Sequence, residues 1–133
     1  MKRPLSDIRS WGPSIWKSLH TIAVAYEPTK KNKERYKRFF TSIQHVLPCP
    51  QCRAHYRQHL LKYPLSPDVL ASKQALFHWT VDIHNAVNAQ NNKPLYTYDQ
   101  AWAEQSQWHG RQYWKYCVFG AIILFFIFKC RQR

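Results

Sequence analysis

Apolar residues recur along this chain at intervals of three and four, which is the spacing of one face of an α-helix. No segment alternates apolar and polar residues in the manner of a β-strand. Together with the proline and serine residues between them, the apolar positions predict helices over residues 14–25, 32–47, 49–61, 72–91 and 99–107. Because short connections place consecutive helices antiparallel, we expect an all-α fold, a compact helical bundle.

The inward faces of the first two helices follow from the same spacing. The first helix places four apolar residues on one side: Trp16, Leu19, Ala23 and Tyr26. The second helix has an apolar stripe with basic residues opposite, and the stripe contains Tyr36, Phe39, Phe40, Ile43 and Leu47. These residues are predicted to lie in the core of the bundle.

The C-terminal part of the chain differs in kind, because residues 116–128 are apolar throughout. As a helix this run rises about 20 Å, against a hydrocarbon core of about 30 Å, and Lys115 and Lys129 at its ends can reach the lipid headgroups. A domain this small can hardly bury a helix that is apolar on every side. We therefore expect residues 113–129 to form a single transmembrane anchor, with residues 130–133 as a basic tail; a buried core helix is the alternative.

The first ten residues contain no apolar run, so they do not resemble a secretory signal peptide. We expect residues 1–10 to be a tail and residues 11–108 to form the globular domain, which faces the cytoplasm. Persistent structural disulfides are rare in that reducing compartment. A Cys-x-x-Cys pair there is therefore expected to be a catalytic pair or a pair of metal ligands.

The formal net charge is +13, which suits a nucleic acid, an anionic membrane surface or an anionic cofactor. The densest basic run, residues 30–38, lies opposite the apolar stripe of the second helix, and a solvated helical face explains it most simply. We therefore predict no nucleic-acid partner. With only three glycines in the chain, a glycine-rich phosphate-binding loop is not expected, which argues against a Rossmann or P-loop enzyme.

The sequence Cys49-Pro50-Gln51-Cys52 opens the third predicted helix. A helix N-terminus favours the thiolate form of a nearby cysteine, and Pro50 suits the first turn. These are the conditions for thiol–disulfide exchange through a mixed disulfide. A thioredoxin-like protein would need a βαβ pattern around the pair, which this sequence lacks. A dithiol in an all-helical domain instead needs an electron acceptor that reacts with dioxygen, and a flavin has that property.

A zinc site is the alternative, because His55 and His59 complete a set of four ligand-type residues with the two cysteines. Structural zinc sites, however, usually draw their ligand pairs from two separate elements. On a single helix, Cys52, His55 and His59 climb about 10 Å along the axis and cannot all reach one tetrahedral centre. We therefore predict no metal site, and the simpler interpretation places both histidines on an exposed helix surface.

The fourth predicted helix carries a polar stripe that consists of His84, Asn88 and Asn91. Such a stripe is more often an exposed or internally satisfied helix face than a ligand site. Lys93, just beyond the stripe, is a suitable partner for a pyrophosphate. A planar cofactor that carries phosphate groups would use both features.

Three motifs follow one another in a characteristic order. The first helix carries W-x-x-x-H-T-x-A, from Trp16 to Ala23, after Trp11-Gly12-Pro13. The third helix begins with the Cys-Pro-Gln-Cys sequence, and the fourth carries H-N-x-V-N, from His84 to Asn88, followed by Lys93-Pro94. In order and spacing these motifs resemble the Erv/ALR family of FAD-dependent sulfhydryl oxidases across about residues 11–98.

The resemblance implies a four-helix bundle with a short fifth helix that holds FAD at its mouth and forms a homodimer. It implies that Cys52 lies against the flavin ring and that Cys49 exchanges with substrate dithiols. Electrons would pass from the substrate through this pair to FAD and on to dioxygen, giving hydrogen peroxide. The resemblance also implies a set of FAD contacts, which are Gly12, Trp16, His20, Tyr56, His84, Val87, Asn88, Asn91 and Lys93.

Two features depart from the pattern of the cellular members of the family. Those members commonly carry a structural disulfide, and Val81 and Tyr98 stand at its places in this sequence. We therefore expect an apolar contact there and a stronger dependence of stability on bound FAD. Gln105 replaces a tryptophan that the family carries, and Trp102 or Trp108 is expected to compensate.

The sequence contains no second Cys-x-x-Cys for a shuttle arm, since Cys117 and Cys130 would lie about 20 Å apart on one helix. We therefore expect a thioredoxin-like carrier or another dithiol protein to dock at Cys49. In this compact form the chain resembles the oxidases of large cytoplasmic DNA viruses. The alternative is a non-enzymatic adaptor, a basic helical module anchored to a membrane, whose Cys-x-x-Cys is structural or binds a metal.

Overall fold

The computed structural model describes residues 7–106. It contains a one-turn 3-10 helix, Ile8–Ser10, and four α-helices, namely α1 (Gly12–Val24), α2 (Lys30–Val46), α3 (Pro50–Lys62) and α4 (Lys73–Gln90). A fifth helical stretch covers residues 98–106. No strand occurs within the described range, and the prediction of an all-α fold is confirmed. The 3-10 helix lies within the segment that the sequence predicts to be a tail.

The chain divides into two compact units, Met1–Tyr98 and Asp99–Arg133. The helices α1 to α4 all belong to the first unit. Of the second unit the structure describes residues 99–106, which are helical. The predicted membrane anchor and the C-terminal tail lie outside the described residues, as do Trp108, Cys117 and Cys130. Among residues 7–106, no helix is both long enough and apolar enough to cross a membrane.

Helices α2, α3 and α4 each begin at a side chain that caps the first turn. The Thr29 hydroxyl accepts the backbone N–H of Asn32 at 3.2 Å, and the Ser72 hydroxyl accepts that of Ala75 at 3.0 Å. Helix α4 therefore begins directly after Ser72, one residue inside its predicted range, and Cys49 plays the same capping part at α3. Because Thr29 supplies a cap, α2 begins before its predicted start.

Helix α4 is central, since it packs against both α1 and α3, and α3 also packs against α2. Phe40 of α2 meets Trp79 of α4 edge to face, with ring centres 5.3 Å apart. Burying one large apolar side chain contributes roughly 1.5–3 kcal/mol. The largest fully buried side chains are Tyr26, Phe40, Phe77, Leu76, Ile83 and Val81.

Phe39 does not face the core, and this part of the predicted stripe is wrong. Its side chain is 40% exposed, whereas that of Phe40 is 0% exposed. Successive residues of an α-helix are turned by about 100° from one another, because a turn takes 3.6 residues. Phe40 packs on Trp79 of α4, and this rotation turns Phe39 out of that contact towards solvent.

The loop between α3 and α4 is fastened by two side-chain donors. The Tyr26 hydroxyl donates to the carbonyl of Leu70 at 2.8 Å. The Trp79 indole N–H donates to the carbonyl of Tyr63 at 2.9 Å. These bonds join the loop to α4 and to the segment that directly follows α1, and they thus help to fix the helices that carry the site described next.

Candidate active site

Cys49 and Cys52 form a disulfide at the start of α3, with Cα atoms 5.1 Å apart. Cys49 has an extended backbone, and the helix begins at Pro50, whose missing N–H is not needed in a first turn. The sulfur of Cys49 accepts the backbone N–H of Cys52 at 3.1 Å. Both cysteines are half-buried. The pair thus lies where the partial positive charge of a helix N-terminus stabilises a thiolate.

The start of α3 is held against α2 by two further contacts. Arg53 donates a guanidinium N–H to the carbonyl of Leu47 at 2.6 Å. The buried Tyr56 hydroxyl donates to the carbonyl of Phe40 at 3.1 Å. Burial raises the pKa of Tyr56 well above its usual value, so the hydroxyl stays protonated as this donor. The disulfide is therefore mounted on a fixed helix end.

A cavity of about 200 Å³ opens beside the disulfide, within the first unit. Its wall contains both cysteines and five of the predicted cofactor contacts, which are Gly12, Trp16, Tyr56, Val87 and Asn91. The other lining residues are mostly apolar, and they include Ile8, Trp11, Ile15, Leu19, Ile43 and Leu47. An apolar cavity with aromatic walls and a disulfide in one side suits a flat conjugated ring that exchanges electrons with sulfur.

Gly12 lies in this wall where the 3-10 helix meets α1. A Cβ atom added at Gly12 would lie 3.0 Å from Cγ1 of Ile8, which is tighter than an ordinary contact. The absence of a side chain at this position therefore lets Ile8 pack closely against Gly12 in the cavity wall. Sequence periodicity could not identify Ile8, because it precedes the first predicted helix.

His20 and His84 do not line the cavity but form a second cluster that shares Trp16 with it. The ring of Trp16 stacks on that of His84, with centres 4.3 Å apart and planes 9° apart. His20 Nε2 lies 3.1 Å from His84 Nδ1, and His20 Nδ1 lies 2.8 Å from the hydroxyl of Thr80. The sequence motifs did not point to Thr80.

Both histidines of this cluster are neutral near pH 7. Burial lowers the pKa of His20 to about 4. The pKa of His84 is also lowered to about 4, mainly by burial and to a smaller extent by the neighbouring His20 and Lys93. The cluster therefore offers hydrogen-bonding nitrogen atoms rather than positive charge.

Asn88 and Lys93 lie at the C-terminal end of α4. The carbonyl of Asn88 accepts the N–H of Lys93 at 2.9 Å, and that of Ala89 accepts the N–H of Asn92 at 3.2 Å. Asn92 has a positive φ of 51°, which asparagine tolerates better than most residues. This pattern is a Schellman motif, and it turns the chain so that the exposed Lys93 follows directly after the helix. Asn88 is buried and, like Lys93, does not line the cavity.

His59 is not a surface histidine, and that part of the sequence interpretation is wrong. It is 6% exposed, and its Nε2 lies 3.1 Å from the side-chain oxygen of Gln90. Burial lowers the pKa of His59, so a neutral ring is favoured. His55 is half-buried and lines the cavity, as does Gln90. In the part of the chain that the structure describes, no three His, Cys, Asp or Glu side chains are placed to hold a metal.

The segment 93–98, here called the strap, runs back along α4 and contains Tyr98. Asn85 holds it by two hydrogen bonds of 2.9 Å each to the backbone N–H and carbonyl of Tyr96. The Tyr98 hydroxyl donates to Asp82 at 2.8 Å, and its ring stacks on His78 with centres 3.9 Å apart. The expectation of a purely apolar contact is therefore wrong for Tyr98, because polar bonds and stacking fasten this position.

The sequence profile of the Erv1/Alr family matches residues 13–109 of the chain. The chain belongs to the Erv1/Alr family. The resemblance seen in the three sequence motifs is thus confirmed. The matched range contains the disulfide and the cluster of Trp16, His20 and His84, whereas Ile8, Trp11 and Gly12 of the cavity wall precede it.

Relatives within this family have been named for their activity. The chain is 46% identical over 93 residues to a probable FAD-linked sulfhydryl oxidase of Acanthamoeba polyphaga mimivirus, a match that covers 68% of this chain and 65% of that protein. It is 33% identical over 92 residues to the FAD-linked sulfhydryl oxidase of African swine fever virus, covering 68% of this chain and 75% of that protein.

The fold is similar to that of the FAD binding domain of Erv1 from Saccharomyces cerevisiae. The TM-score is 0.64 at 27% sequence identity, and the match covers 71% of this chain and 90% of that one. The helical arrangement around the disulfide is thus that of a solved member of the same family.

Proposed function

We propose that this protein is an FAD-linked sulfhydryl oxidase that makes disulfides in protein dithiols. The observation that carries the proposal is the Cys49–Cys52 disulfide in the wall of an apolar, aromatic cavity in a member of the Erv1/Alr family. The names of the viral relatives support the same activity and the same cofactor.

In the proposed reaction, a substrate thiolate attacks the sulfur of Cys49 and the Cys49–Cys52 bond breaks. Cys52 leaves as a thiolate, which the partial positive charge at the N-terminus of α3 stabilises. The second substrate thiolate then attacks the substrate sulfur of the mixed disulfide and releases the Cys49 thiolate. The substrate has lost two electrons and gained a disulfide, and the pair holds these electrons.

Bound FAD supplies an acceptor that takes both electrons from the reduced pair and passes them to dioxygen, giving hydrogen peroxide. Trp16, Tyr56 and Val87 would provide its apolar walls, next to Cys52. Gly12 and Asn91 belong to the same wall. These roles rest on the lining of the cavity and on the family's motifs.

The remaining predicted contacts would bind the polar part of the cofactor outside this cavity. His20 and His84 offer neutral ring nitrogen atoms beside Trp16. Asn88 and Lys93 flank the end of α4, where the exposed ammonium group of Lys93 can meet a phosphate.

The substrate, assembly and location follow as further parts of the proposal. We expect a thioredoxin-like or other dithiol protein to deliver electrons at Cys49, and we expect the oxidase to be a homodimer. The apolar run within residues 113–129 supports a membrane anchor, with the oxidase domain in the cytoplasm. Light scattering of the full chain in detergent measures the assembly, and alkaline extraction of membranes tests the anchor.

The first test is the visible absorption spectrum of the purified full chain. A flavin spectrum that a dithiol bleaches and air restores is the expected result. A colourless folded protein would contradict the proposal and favour the membrane-anchored adaptor.

The second test replaces one sulfur of the pair. The change Cys52→Ser is expected to abolish dithiol-dependent oxygen consumption while FAD stays bound, because the pair can no longer accept two electrons. The matched control is Cys117→Ser, which leaves the pair intact and should keep full turnover. Oxygen consumption that persists in the Cys52→Ser variant would overturn the assigned relay.

A further inference from the structure

A continuous chain of hydrogen bonds connects a backbone carbonyl of α4 to His84. Thr80, which is 2% exposed, donates its hydroxyl proton to the carbonyl of Phe77 at 2.7 Å. A hydroxyl has one proton, so in its 2.8 Å contact with His20 Nδ1 the oxygen of Thr80 must accept. The proton of the His20 ring is therefore on Nδ1.

The tautomer of His20 then determines that of His84. Both rings are neutral at pH 7, because burial lowers the pKa of each to about 4. With its proton on Nδ1, His20 has a bare Nε2 that can only accept, so the 3.1 Å contact requires a proton on His84 Nδ1. His84 Nε2 is consequently an acceptor. Trp16, stacked 4.3 Å from the ring, holds the plane in which that acceptor lies.

We propose that Thr80 is a positioning residue that acts through His20 to keep His84 in the tautomer whose Nε2 accepts a hydrogen bond. The inference rests on the proposed function, in which His84 contacts FAD. The group it selects is a hydrogen-bond donor of the dinucleotide, a hydroxyl or the amino group of adenine. A ligand that offered only acceptors at this point would be rejected.

A residue of the same shape without a hydroxyl reverses this arrangement. In Thr80→Val, a proton on His20 Nδ1 would be buried without an acceptor, which is unfavourable, so it moves to Nε2. His84 must then accept at Nδ1, and its own proton moves to Nε2. The atom presented to the ligand changes from an acceptor to a donor, and two donors face each other. We expect FAD to dissociate about tenfold faster, the effect of losing one hydrogen bond.

The experiment measures two quantities on the FAD-loaded full chain, the ¹⁵N shifts of the His20 and His84 rings and the rate of FAD release. The variants are Thr80→Val, which removes the hydroxyl, and Thr80→Ser, which keeps it. Val81→Ala is the control for lost packing, because Val81 is fully buried beside Thr80 on α4 but belongs to no part of the hydrogen-bond chain.

The expected result is an exchanged tautomer at both histidines and faster FAD release in Thr80→Val alone, with wild-type behaviour restored in Thr80→Ser. Unchanged tautomers in Thr80→Val, or the same acceleration in Val81→Ala, would overturn the role of Thr80. If the wild-type chain binds no FAD, the proposed function fails. The ring shifts of the FAD-free chain then still decide whether Thr80 sets the tautomer of His84.

Discussion

Trp16 is the residue that joins the two parts of the site. One part of its side chain lines the cavity beside the Cys49–Cys52 disulfide, and its ring also stacks on His84. The neutral state of His84 suits its half-buried position, because a charged ring would lose hydration there. Burial supplies that neutrality for His84 and for its partner His20.

The buried histidines make stability depend on pH in a definite direction. The pKa of His20 is lowered from 6.5 to about 4, and that of His84 shifts in the same way. Between pH 6.5 and 4 the unfolded chain binds protons that the folded chain does not, so the free energy of unfolding is fully present above pH 6.5 and decreases as the pH falls towards 4. For His20 the loss is on the order of 3 kcal/mol at pH 4.

Urea unfolding of the full chain at several pH values between 7.5 and 4 measures this loss. The change His20→Gln is expected to flatten the profile, whereas the exposed His45→Gln, which lies outside the cluster, should not. A profile that His20→Gln leaves unaltered would contradict the assignment.

At the scale of elements, side-chain hydrogen bonds hold the strap near the position where the family resemblance implies a structural disulfide. Asn85 pairs with the backbone of Tyr96 much as a neighbouring strand would, and Tyr98 is bonded to Asp82. The strap begins directly after the Schellman turn at Asn92. The hydrogen bonds of this turn and those of the strap therefore together fix the position of Lys93.

Removal of the Asn85 amide should therefore loosen the strap. We expect Asn85→Ala to lower the free energy of unfolding by about 2 kcal/mol, because two half-buried hydrogen bonds are lost. Asn85→Asp keeps the acceptor for the Tyr96 N–H but places a carboxylate oxygen against the Tyr96 carbonyl, so it should not restore the stability of the wild type. Chemical denaturation compares the three proteins, and equal stability of Asn85→Ala and wild type would refute the role of this pairing.

At the scale of the whole molecule, the described fold depends on packing and hydrogen bonds. In residues 7–106 the one disulfide is Cys49–Cys52, which must open during each turnover of the proposed reaction. A fold that keeps its shape while this bond opens needs other sources of stability. The buried core supplies one, and a cofactor bound only by the folded state supplies another.

FAD is therefore expected to raise the melting temperature substantially. At a free FAD concentration one hundred times the dissociation constant, binding adds about 2.7 kcal/mol, or roughly 10 °C for a chain of this size. Thermal unfolding with and without added FAD measures the shift. The Cys52→Ser variant should show the same shift, since it keeps the cavity; an unchanged melting temperature in both proteins would contradict FAD binding there.

The sequence by itself determined the helices and the chemistry of the disulfide pair. Helix periodicity and capping act over a few residues. The start of α4 after Ser72 and the start of α3 at the Cys49–Cys52 pair were therefore predictable. The order of the three motifs also identified the family, because each motif is local and its residues are contiguous. Both conclusions needed only neighbours along the chain.

The tertiary structure alone decided which residues meet between helices. Thr80 and His20 are 60 positions apart in sequence, and no spacing rule relates them. The crossing of the helices likewise buries His59, exposes Phe39 and brings Ile8 to the cavity. A single helix specifies what lies on each face, but which face is covered, and by what, depends on the neighbouring helices packed against it.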